Sequence, residues 1–163
     1  MTRGERNNNW GNLKKGYPFF IGEIQGTDQV FRTFSKPEYG FRAMAKVLIN
    51  LIDKKKLNTI SKLINVYAPS SENNTQSYID ALSSNLNIGP NTKITTSFAE
   101  LAPLMYYIAI HENGKLPPAN KIQEGLKMIN LKQVSVHNPV SSKKYIPYLI
   151  FAAAVYLEKY SKR

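Results

Sequence analysis

From Pro37 onward the apolar residues of this chain recur mostly at intervals of three and four, the period of helices with one face in a core. In PEYGFRAMAKVLINLIDKKK, the set Phe41, Met44, Val47/Leu48, Leu51 and Ile52 predicts an amphipathic helix with lysines at its carboxyl end. Asn58 is a candidate cap for a second helix, TISKLINVYA, with Ile60, Leu63, Ile64 and Tyr67 on one face and Pro69 as its stop. The loop PSSENN ends at Thr75. QSYIDALSSNL then predicts a third helix on Tyr78, Ile79, Leu82 and Leu86, closed by Ile88-Gly89-Pro90. Ser97-Phe98-Ala99-Glu100 has the form of a capping box for a fourth helix that runs to His111 or Glu112, with Pro103 an equally good first turn. Gly114 stands at its carboxyl cap. A short helix over NKIQEGLKMI and a last one over YIPYLIFAAAVYLEKY complete the set.

The first part of the chain has no such period. Residues 1–18 are polar and rich in Asn and Gly, which predicts an ordered loop or a site-forming arm. Ile21 to Phe34 places Gly26-Thr27-Asp28 between segments rich in Ile, Val, Phe and Thr, which predicts a short hairpin. The expected fold class is mainly α with one small β-hairpin. With 163 residues, of which 42% are hydrophobic, there is material for one core, so residues 1–163 are expected to form one domain, with 131–163 a helical extension packed on it.

Composition narrows the chemistry. Cysteine is absent, which excludes disulfides, thiol nucleophiles and thiolate metal sites. His111 and His137 are the only histidines and stand in no metal-binding spacing, so neither a metal nor another cofactor is expected. The net charge of +11 implies attraction to polyanions: nucleic acid, acidic membrane or the anionic bacterial wall. MTRGERNNNWGNLKKG lacks the apolar core of a secretory signal. The longest apolar run, Tyr145 to Leu157, is broken by Pro147 and is short of the ~20 residues that span a bilayer, so it is read as a buried helix.

Of the eleven carboxylates, Glu112 stands apart by position. Leu101, Met105 and Ile108 precede it at helical spacings, which puts its carboxyl group on the core-facing stripe at the end of a helix. A carboxyl group beside apolar neighbours tends to keep its proton and can donate it to a leaving oxygen. The plainer alternative is a glutamate in the last turn of a surface helix. Asn8, Asn9 and Asn12, with Trp10 among them, combine amide donors and acceptors with a flat apolar platform, a composition suited to sugar rings and N-acetyl groups. A polar turn with Trp10 in the core is the alternative. Tyr67 ends a helix beside APSSENNT, where its hydroxyl can reach a cleft, and Glu72 and Asn73 lie on the loop that follows.

The strings RGERNNNWGNLKKG, GTDQVFRTFSKPEYGFRAMAKVL and NTISKLINVYAPSSENNTQSYIDAL, in that order, resemble a family of bacteriophage virion-associated peptidoglycan lytic enzymes over roughly residues 3–126. More remotely, Asn8-Asn9, Phe31 to Glu38 and Tyr67-Ala68 resemble pieces of flagellar-type glucosaminidases, in which the helix bearing the catalytic glutamate comes first. Here the candidate helix comes last, which implies a circularly permuted lysozyme-like domain. The resemblance implies cleavage of the β-1,4 bond between N-acetylmuramic acid and N-acetylglucosamine by a lytic transglycosylase or a muramidase. Glu112 would be the general acid, Tyr67 and Glu72 further catalytic groups, and Asn8, Asn9, Trp10, Asn12 and Asn73 the substrate-binding residues. Peptidoglycan strands and other virion proteins are the partners it implies, and its place is the virion or, after delivery, the cell wall or periplasm. Two features depart from the family: Glu5 stands where an apolar residue is usual, and Trp10 where proline is. The segment after Asn130 has no counterpart there. The rival expectation is a non-catalytic cationic module that binds DNA, virion or wall, based on the charge and on the runs Lys54-Lys55-Lys56 and Lys143-Lys144.

Overall fold

A computed structural model describes residues 1–71, 74–131 and 151 of the chain. Among the described residues, six α-helices and one two-stranded antiparallel sheet follow in the order α1 (Arg3–Arg6), β1 (Glu23–Ile24), β2 (Thr33–Phe34), α2 (Pro37–Ile49), α3 (Ile60–Tyr67), α4 (Thr75–Leu86), α5 (Phe98–Asn113) and α6 (Ala119–Lys127). The architecture is thus mainly α with one small hairpin, in which Glu23 pairs with Phe34 and Ile24 with Thr33. The helix expected over 145–160 and the extension from 132 onward lie outside the described residues, except Phe151. That residue is buried, with its ring edge-on to Phe98 and Tyr106 of α5.

α5 is the axis of the core. Phe98, Leu101, Ala102, Leu104, Met105, Tyr106, Ile108 and Ala109 are all buried, so the helix is apolar on nearly every side and is enclosed by α1, α2, α4 and α6. α2 lies against α6 and continues as a π-helical turn, Asn50–Lys54, whose wider ring leaves Leu51 and Ile52 both buried. Two glycines set how closely these pieces approach. A Cβ on Gly40 of α2 would stand 1.9 Å from the Asn8 carbonyl oxygen, and one on Gly125 of α6 would stand 2.8 Å from the Glu38 carbonyl oxygen and the Arg42 nitrogen.

Several local details differ from the sequence expectations. The first residues contain a helical turn, α1, closed by a capping box between Thr2 and Glu5. Thr59, not Asn58, caps α3 by accepting from the Lys62 N–H, and Asn74 caps α4, so that Thr75 is already helical. Ser97 precedes α5 without a side-chain cap bond: its hydroxyl accepts from the Thr95 hydroxyl at 3.0 Å, and the Glu100 carboxylate accepts from the Thr95 N–H at 2.5 Å. Pro103 lies within α5 rather than in its first turn. It has no N–H for the Ala99 carbonyl, and α5 continues through it because its flanks are buried in the core.

The arm is fixed to the hairpin by its asparagines. Asn9, 1% exposed, donates to the carbonyls of Leu13 and Arg32 and accepts from the Leu13 N–H, each at 2.9 Å. Asn8 donates to the Phe34 carbonyl, and Asn7 to Asp28, whose carboxyl Arg3 and the Phe31 N–H hold far below the usual range. Asn8 and Asn12 have φ of +50° and +47°, the left-handed region in which asparagine is enriched. Close approach and backbone handedness make different predictions. Gly40→Ala is expected to cost about 1–3 kcal/mol because the backbone must move. Gly114→Ala, at φ +63° in open space, should cost about 1 kcal/mol from its left-handed cap alone. Urea unfolding of both variants checks the order.

Candidate functional site

The end of α5 meets the arm and α4 at Glu112. The stripe of Leu101, Met105 and Ile108 is fully buried, and one turn later Glu112 is half-buried as the helix leaves the core. Its Oε1 accepts from the Tyr78 hydroxyl of α4 at 3.0 Å, and its Oε2 from Asn12 Nδ2 of the arm at 2.9 Å. Gly114, in the left-handed conformation, then stops the helix, so the carboxyl group is held at an edge.

Two neighbours build the surroundings of this group. Asn113 Nδ2 donates to the carbonyls of Trp10 (2.8 Å) and Ala109 (2.9 Å), and its Oδ1 accepts from the Thr2 hydroxyl at 3.0 Å. Gly4 gives this amide its room, since a Cβ there would stand 2.1 Å from Asn113 Oδ1. On the other side, Tyr67 at the end of α3 donates its hydroxyl to the Gly11 carbonyl at 2.5 Å. A Cβ on Gly11 would meet that hydroxyl at 2.7 Å. Arm, α3, α4 and α5 therefore converge on one carboxylate.

The electrostatics follow from this enclosure. Burial, with the Glu112 charge as second cause, raises the Tyr67 phenol well above its ordinary value, so it stays a protonated donor. Tyr78 is raised too, by burial first and then by the charge of Glu112. The His111 imidazole lies flat on the Tyr78 ring, with centroids 3.5 Å apart and planes at 15°. Burial lowers its pKa, and Glu112 opposes that shift.

Of the residues expected at a site from sequence, Glu112, Asn12 and Tyr67 are brought together here. Asn12 holds Glu112 itself, and Tyr67 holds the arm beneath it. Asn8 and Asn9 do not line the site: their amides are taken by backbone groups of the hairpin and the arm. Trp10 is no open platform either. It is 6% exposed and its ring is stacked on Phe41 in the core. Glu72 and Asn73 lie outside the described residues. Tyr78 and His111 were not singled out from sequence, although a tyrosine on a core stripe needs a partner for its hydroxyl. Among the described residues no group of three His, Asp or Glu side chains is placed to hold a metal ion.

Other carboxylates are differently placed. Glu5, Glu23, Asp28, Glu38 and Glu124 each have a lysine or arginine within 3.5 Å. Asp53 and Asp80 are exposed and accept from Thr96 and Gln76. Glu112, half-buried, accepts from neutral donors on two distant elements, the arm and α4.

A titration reads this geometry. Because burial depresses the folded-state pKa of His111, its contribution to stability is present above the unfolded value and is lost as pH falls through the lower folded one. In proton NMR, His111 should titrate below 6.5. Glu112→Gln removes the charge that opposes the shift, so the midpoint should fall further. An unchanged or raised midpoint would contradict the described proximity.

No family model matches the chain. It is 34% identical over 121 residues to Protein P5 of Pseudoalteromonas phage PM2, an alignment that covers 71% of this chain and 74% of that protein. At that identity and coverage, the chain belongs to the family of the phage protein P5.

Proposed function

We propose that this protein cleaves the glycan strands of bacterial peptidoglycan, with Glu112 as its general acid. The observation that carries the reading is the position of that carboxyl group, half-buried at the mouth of the core and held by Asn12 and Tyr78. Membership of a phage protein family supports a phage setting, and association with the virion is part of the proposal. So is a circularly permuted lysozyme-like arrangement, in which the acid sits on a late helix.

In this reading Glu112 gives a proton to the oxygen of the β-1,4 bond between N-acetylmuramic acid and N-acetylglucosamine as positive charge builds on the sugar. Asn12 and Tyr78 fix the carboxyl plane, and Tyr67 keeps the arm seated below it. In a lytic transglycosylase, the same glutamate then accepts the proton of the muramic 6-hydroxyl, which closes an anhydro ring and consumes no water. A muramidase needs a second carboxylate or a placed water, and Glu72 is the sequence candidate for that role. The surplus of positive charge concentrates the enzyme on the anionic wall, an attraction that salt screens.

A second reading draws on the same hydrogen bonds. Glu112 would then be a latch between arm and helices in a cationic virion, DNA or wall-binding module with no turnover.

Mass spectrometry of fragments released from purified peptidoglycan separates the two. Glu112→Gln is expected to lower release by about 10²–10⁴-fold, the usual weight of a general acid. Anhydromuropeptides would identify the transglycosylase and reducing ends the muramidase. No release by the wild type over a range of salt and pH would favour the latch. Tyr78→Phe keeps the stack on His111 and removes one donor to Glu112. It should lower the rate by roughly two- to tenfold, consistent with one hydrogen bond of ~0.5–1.5 kcal/mol.

A further inference from the structure

Of the nine large hydrophobic side chains exposed among the described residues, five fall between Tyr17 and Val30, while Met1, Val66, Leu116 and Met128 stand in other parts of the chain. Tyr17 is 91% exposed, Phe19 77% and Ile21 61%, and Ile24 and Val30 are exposed as well. Val30 adjoins the same loop, because its carbonyl accepts from the Lys15 N–H at 2.9 Å. An apolar cluster of this kind on a surface marks a contact with another phase or molecule.

The loop is held rigid from below. Arg32 and Glu23, both almost fully buried, form an ion pair at 2.5 Å. Arg32 also donates to the carbonyls of Lys14 (2.8 Å) and Gly16 (2.9 Å) and lies over the Phe20 ring, while Glu23 accepts from the Phe20 N–H. Phe20 is thereby turned inward, and its neighbours Phe19 and Ile21 outward. The exposure is a product of the fold.

Cations surround the tip. On one side a cavity of about 550 Å³ has Tyr17 and Phe20 in its wall with Lys14, Lys46 and Lys54. On the other, Lys15 lines a recess with Tyr17, Phe19 and Ile24. The one carboxylate lining either recess is Glu23, and Arg32 already neutralises it. Lysine is depleted from the cores of protein–protein interfaces, whereas an aromatic tip amid lysines matches the boundary between acyl chains and anionic headgroups.

We propose that the loop of residues 15–24 seats on an anionic lipid bilayer, with Tyr17, Phe19 and Ile21 entering the headgroup layer and the surrounding lysines over the phosphates. Each lysine near such a surface contributes to binding until salt screens it, and the apolar tip adds a part that salt does not remove. This surface is independent of the chemistry at Glu112.

The test is co-sedimentation of the full chain with vesicles of phosphatidylglycerol and phosphatidylcholine in equal parts, and of phosphatidylcholine alone. The wild type should sediment with the first and far less with the second. The double variant Tyr17→Ser, Phe19→Ser should lose roughly tenfold or more in partitioning, as expected for two partly buried aromatic rings. Both side chains are exposed, so an unchanged thermal melt should accompany that loss. Phe19→Trp should shift its fluorescence to the blue on anionic vesicles. Failure of the wild type to bind, or equal binding by the double variant, would overturn the proposal. So would a concentration-dependent dimer that the double variant abolishes, since a second copy of the chain would then be the occupant.

Discussion

The fold turns on one long-range closure, in which the end of α5 is bound to residues that precede it by about a hundred positions. Asn113 holds the Trp10 carbonyl and the Thr2 hydroxyl, and Glu112 beside it accepts from Asn12. Each such bond contributes only about 0.5–1.5 kcal/mol, but they act together on an arm with little regular structure of its own. Glycine at 4, 11 and 40 lets the arm lie against α5, Tyr67 and α2 at distances that no Cβ would permit. The arm is therefore part of the packed structure, and the setting of Glu112 depends on it.

The helical periods carried most of the architecture in the sequence, because each helix buries one continuous face. Leu101, Met105 and Ile108 are fully buried, and Glu112 at the end of the same helix is half-buried. Boundaries were less legible. Asn58 and Thr59 can both cap a helix, and which one does so depends on where the Lys62 N–H lands. Ser97 to Glu100 has the letters of a capping box, but the Thr95 N–H is a competing donor that spacing alone does not reveal. Residues 3–6 are too few to show a period at all, and only the Thr2–Glu5 pair marks that turn.

The asparagines of the arm show why composition misdirects. An Asn-rich run beside a tryptophan has the chemistry of a sugar site, yet Asn8 and Asn12 are also residues that tolerate a left-handed backbone, and Asn9 meets buried carbonyls that need donors. Trp10 follows from the same cause, since an arm this close to α2 has nowhere to put an indole except against Phe41. Tyr78 is the converse case. Its hydroxyl on a core stripe needed an acceptor, and Glu112 on another core stripe needed donors. The two requirements match each other, although nothing in a sequence separation of 34 residues announces it.

The hydrogen bonds at Glu112 also bear on whether the group can act. A carboxylate offers about four lone-pair sites, and one donor on each oxygen leaves the others open. The Asn12 amide N–H donates to Oε2 and so fixes that side of the carboxyl group to the arm. Tyr78 is held protonated by burial and by the charge beside it, so it orients the carboxyl group and does not compete with it for a proton near neutrality. A latch needs only the two bonds. An acid needs those bonds and an open face, and half-burial at the end of α5 supplies that face.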